Sequence, residues 1–103
     1  MKTIPDWLFL YIWRALIGEI YSSIRAVAVS LSENNSLIIR YYLDREPLDF
    51  DYESMEVVAT NISSLVGPDK ISCIELECEY AVEPIGKLEC LDGFVYSRRE
   101  YDM

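Results

Sequence analysis

Apolar positions recur along this chain in two different rhythms. From residue 5 to 21 they fall at helical spacing, with Leu8, Tyr11, Ile12, Ala15, Leu16 and Ile20 on one face. Trp7, Phe9, Leu10, Trp13 and Ile17 widen that face well beyond a narrow stripe. A helix with so broad an apolar arc is either buried on most sides or packs on a partner as well as its own core. Thr3 is placed to cap it, Pro5 suits its first turn, and Asp6 suits the positive end of the helix dipole.

The rhythm then shortens to two. Residues 24–31 (IRAVAVSL) and 37–43 (LIIRYYL) alternate and are rich in branched side chains, so they read as strands. Glu33-Asn34-Asn35-Ser36 is a turn between them, which makes a hairpin. A polar connection over 44–50 leads to a second helix over 51–65, where Tyr52, Met55, Val58, Ala59, Ile62 and Leu65 recur at helical spacing. Asp49 or Asp51 can cap it, and Gly67-Pro68 ends it. Residues 70–81 alternate again as a third strand, with Ile74, Leu76, Cys78 and Tyr80 on one face and Glu75, Glu77 and Glu79 on the other. Residues 82–92 read as loop and 93–99 as a fourth strand. The expected fold is α+β in the order α-β-β-α-β-β. Its sheet would be a single antiparallel one of four strands, with two helices packed on one face.

A chain of 103 residues is one domain's worth, so residues 1–103 are expected to form a single unit. Charge adds more. Eighteen Asp and Glu against nine Lys and Arg give a net charge of -9. Such a surface repels nucleic acid and anionic lipid and attracts basic partners, although acidity also serves solubility alone. Histidine is absent, which removes His-based triads and the usual zinc sets. The three cysteines, Cys73, Cys78 and Cys90, are an odd number without CxxC spacing. They read as small core hydrophobes in a reducing compartment. Arg14 and Glu19 interrupt the apolar N-terminal stretch before it could span a bilayer, and Asp6 stands where a signal peptide needs a positive charge. A cytoplasmic protein without membrane contact, cofactor or metal is expected.

Two acidic constellations are candidate contacts. Asp44, Glu46, Asp49, Asp51 and Glu53 lie within ten residues, interleaved with Phe50 and Tyr52. Carboxylates accept paired bonds from guanidinium groups, and aromatics supply anchor area. The same acids would equally suit a solvated helix start. Glu75, Glu77 and Glu79 share one sheet face, where their mutual repulsion asks for a reason. A basic partner would supply one. So would protection against aggregation, or pairing with Arg98 and Arg99 on a neighbouring strand. Tyr41 and Tyr42 are adjacent in a strand, so one points inward and Tyr42 can face a partner. No nucleophile motif, phosphate loop or dinucleotide fingerprint is present, and a single small sheet offers little cleft for paired carboxylates to work in. Catalysis is not expected.

Three segments carry a family resemblance. They are Gly18-Glu19-Ile20-Tyr21 with Ile24-Arg25, Ile39 to Pro47 running into Asp51-Tyr52-Glu53-Ser54, and Leu91 to Tyr96 leading to Arg98-Arg99-Glu100. Together they resemble the small immunity proteins of bacterial contact-dependent growth inhibition, the CdiI type, and related colicin-like immunity proteins. Residues 62–90 carry none of these motifs. The resemblance implies a specific inhibitor of a toxin's C-terminal domain of the CdiA-CT type. Such a toxin is commonly a nuclease, often acting on tRNA, whose basic groove an acidic protein would block directly or from beside it. It also implies that Arg40, Asp44, Asp92 and Arg98 can be shared as scaffold, with the contact residues elsewhere. A reading from another class is an acidic adaptor or antitoxin-like regulator bound to a basic host protein. The broad apolar face of the first helix leaves a homodimer open.

Overall fold

The computed structural model describes residues 4–100. Helix α1 runs Asp6–Leu16, strand β1 Ile24–Leu31, β2 Ser36–Leu43, helix α2 Asp49–Leu65, β3 Cys73–Tyr80 and β4 Gly93–Ser97. A single 3-10 turn, Ile85–Lys87, interrupts the connection before β4. Thr3, the expected cap of α1, lies outside the described residues. The helix stops at Leu16 instead of reaching residue 21. Gly18 takes a left-handed backbone (φ 79), and the Glu19 amide donates to the Leu16 carbonyl at 2.9 Å. That is the glycine-terminated end that a side chain at this position would oppose.

The sheet is mixed, which corrects the antiparallel expectation. Its order is β3-β2-β1-β4. β1 pairs antiparallel with β2 and with β4, but β2 and β3 run parallel, in register from Ser36 opposite Cys73 to Leu43 opposite Tyr80. The reason is the connection. α2 carries the chain back along its own length, so β3 starts at the same end as β2. β3 and β4, neighbours in sequence, therefore lie at opposite edges.

Both helices cover one face of the sheet. Leu8, Ile12 and Leu16 of α1 and Met55, Val58 and Ile62 of α2 close on Val27, Val29, Leu37, Ile39, Tyr41 and Leu43. Of the broad face of α1, Leu10, Trp13 and Ile17 stay exposed, although Trp13 donates its indole N–H to the Val95 carbonyl at 2.9 Å. On the other face the chain from β3 to β4 crosses beneath the sheet. Leu88, Leu91 and Phe94 pack there on Ala26, Ala28 and Tyr42. Small residues at 26 and 28 are what allow the connection to lie so close.

Candidate acidic contact surfaces

Ion pairs tie down most of the charged motif residues. Arg25, itself buried, reaches Glu100 at 2.6 Å, and Arg98 holds both Glu100 at 2.8 Å and Asp44 at 2.8 Å. These pairs fasten the chain after β4 to the start of β1 and the end of β2. Asp92 accepts from the Leu31 amide at 3.1 Å, where Leu91 takes a left-handed backbone (φ 56). Arg40 on the open face of β2 binds Glu77 at 2.7 Å and Glu89 at 3.1 Å. The neighbouring-strand partner of Glu77 is thus Arg40, while Arg98 and Arg99 follow β4 at the far edge. This corrects the expected pairing.

Two candidate contact residues turn out to be buried. Asp51 is fully enclosed; its carboxylate accepts from Arg45 at 2.7 and 3.0 Å, from Tyr21 at 2.5 Å and from the Leu48 amide at 2.7 Å. The last bond makes Asp51 the cap of α2, acting from the third helical position. The Arg45 guanidinium, aided by Tyr21 and Leu48, pulls the Asp51 carboxyl down to about 2. Burial beside this charge in turn raises Tyr21 above the usual phenol range. Tyr42 does point away from Tyr41, but the crossing connection covers it, and its hydroxyl donates to the Glu89 carbonyl at 2.7 Å. Neither residue offers surface to a partner as expected; both hold the scaffold.

The remaining acids form two surfaces on opposite layers. On the sheet face away from the helices, Glu75, Glu77 and Glu79 line β3 at the edge that the crossing connection leaves uncovered, and Glu89 on that connection, which the sequence pattern did not single out, extends them. Glu75 and Glu79 are exposed and make no ion pair among the described residues. On the helix layer, Asp49 and Glu53 are exposed at the start of α2, with Glu46 exposed in the preceding loop. Asp44 is partly exposed and bound to Arg98. Beside Glu53 a shallow hollow of about 390 Å³ opens between Gly18–Tyr21 and the α2 residues Phe50, Ser54 and Val57. Phe50 is 56% exposed and stands edge-on to Tyr21, with ring centres 5.2 Å apart. α2 carries no lysine or arginine anywhere along its length.

The cysteines divide. Cys78 is half-buried with its sulfur against Met55, and burial pushes its thiol up to about 12. Cys73 is exposed at the start of β3, contrary to the expected core placement, with Sγ 3.0 Å from the Ser36 hydroxyl. All three are free thiols. Among the described residues, no group of three or more acids and cysteines is placed to hold a metal ion, and no helix is long and apolar enough to cross a membrane.

No curated protein matches the chain. The sequence model of the MafI2 immunity protein family matches residues 5–100, which takes in both helices, all four strands and both acidic surfaces. The chain belongs to the MafI2 immunity protein family, the immunity proteins of a bacterial toxin system.

Proposed function

We propose that this protein neutralises one cognate nuclease toxin by forming a stable one-to-one complex with its basic catalytic domain. The observation that carries the reading is the coincidence of immunity-family membership with carboxylates left uncompensated on the surface. A nuclease must hold phosphates, so its working groove is cationic. A protein of net charge -9 is drawn to such a groove and excludes substrate once seated there or beside it. The residues proposed to face the toxin are those of one acidic surface at a time: Glu75, Glu77 and Glu79 on β3, or Asp44, Glu46, Asp49 and Glu53 around the start of α2, with Phe50 and Tyr52 as apolar anchors. The partner is a toxin domain of the contact-delivered type, with tRNA as its substrate, and the encounter takes place in the cytoplasm. Binding is the whole of the activity.

The test is co-expression with the cognate toxin domain. Cells should survive a toxin that kills them alone, and the two proteins should co-purify as a one-to-one complex that has lost nuclease activity. Survival without any physical complex would overturn the mechanism.

A further inference from the structure

β3 is an edge strand. It pairs with β2, and among the described residues no strand lies on its outer side. The pairing runs unbroken over eight residues, so the edge is regular, and CIELECEY contains no proline or lysine. Alternate residues of such a strand turn their N–H and C=O groups outward, where they are free to pair. Edges are ordinarily blunted by bulges, prolines, lysines or shortness. This one carries three glutamates on one face instead.

Those glutamates exclude a second copy. Antiparallel pairing about Glu77 would set Glu75 against Glu79 and Glu77 against itself. Parallel pairing in register would oppose each acid to its own equivalent, and like charges directly across a ladder are destabilising. A one-residue slip would instead turn the apolar positions of the added strand to the acidic face. The same edge favours a strand with cations at alternate positions, because Glu75 and Glu79, which make no ion pair among the described residues, then meet opposite charges beside the Glu77–Arg40 pair. On the helix side, Ile74, Leu76 and Cys78 are half-buried and Tyr80 is exposed, so apolar residues at the intervening positions would extend the core face.

We propose that β3 accepts an extended segment of alternating basic and apolar residues as a fifth strand. The proposal rests on the reading of this chain as the binder of a basic toxin domain, and it names the contact: main-chain pairing, with charge selecting the partner.

The probe is a peptide of alternating lysine and valine, titrated into isotopically labelled protein at low salt. Amide shifts and slowed hydrogen exchange should fall on alternate residues between Cys73 and Tyr80. Replacing the lysines by glutamates should weaken binding about tenfold or more. The double variant Glu75→Lys with Glu79→Lys changes two exposed positions and should reverse the preference. Perturbation elsewhere, or none at millimolar peptide, overturns the proposal, as does a wild-type dimer protected along β3. Should β3 ignore the peptide while the protein still protects cells, the edge proposal alone fails. Should the peptide pair while no toxin is neutralised, the immunity reading alone fails.

Discussion

Asp51 shows how far a residue's surroundings can reverse its apparent role. In sequence it is one of a run of loop acids. In the fold it is the counter-ion of Arg45, the acceptor of Tyr21 and the cap of α2. Its carboxyl sits near 2 against an ordinary value of 3.8. A depressed carboxyl contributes stability that is complete above the unfolded value and is lost as pH falls through the folded one. The loss should therefore run from about pH 4 to pH 2 and amount to about 2 kcal/mol. Asp51→Asn should destabilise the fold by about 2–3 kcal/mol in urea at pH 7, because it leaves Arg45 without its counter-ion. It should also flatten the acid limb of stability against pH, and an unchanged limb would refute the assignment. Tyr41 makes the opposite case. Its hydroxyl is buried with no hydrogen-bond partner among the described residues, so Tyr41→Phe should leave stability unchanged or raise it by about 1 kcal/mol in the same titration. The inward and outward turn of Tyr41 and Tyr42 was legible from alternation. The cover over Tyr42 was not, because it comes from residues more than forty positions away in sequence.

At the scale of elements, local rhythm located the strands well: β1 occupies the expected residues 24–31, and β2 begins one residue before its expected start. Pairing partners were another matter. The period of two says which face a side chain takes but not which strand lies beside it. The direction of β3 was nonetheless available in principle, since a strand, a helix of 17 residues and a strand make a crossover, which sets the two strands parallel. The connection from β3 to β4 had no such signal. Its polar, Pro- and Gly-punctuated sequence reads as surface loop, yet Leu88 and Leu91 fold under the sheet onto two alanines. From this follows a prediction opposed to strand propensity. Ala28→Leu places a better strand former in the middle of β1, but it has no room beneath the crossing chain. It should destabilise by about 1–3 kcal/mol in equilibrium unfolding. Stabilisation would mean that the connection does not lie against the sheet.

At the scale of the whole molecule, the two acidic surfaces lie on opposite layers, and a single toxin domain can seat on one of them at a time. Long-range attraction does not share that limit, because steering responds to the summed field and contact energy only to the groups in contact. Reversing two charges on either surface removes four units of the net charge of -9. Glu75→Lys with Glu79→Lys, and Asp49→Lys with Glu53→Lys, should therefore both slow association with the toxin about tenfold at low salt. The difference should shrink at high salt as screening shortens the reach of the field. Dissociation separates the pairs, since only the pair inside the interface should speed release of the bound toxin. Stopped-flow mixing at two ionic strengths, with dissociation followed by competition, reads both quantities. Association rates indifferent to salt and to both reversals would mean that the surplus of carboxylates plays no part in finding the toxin.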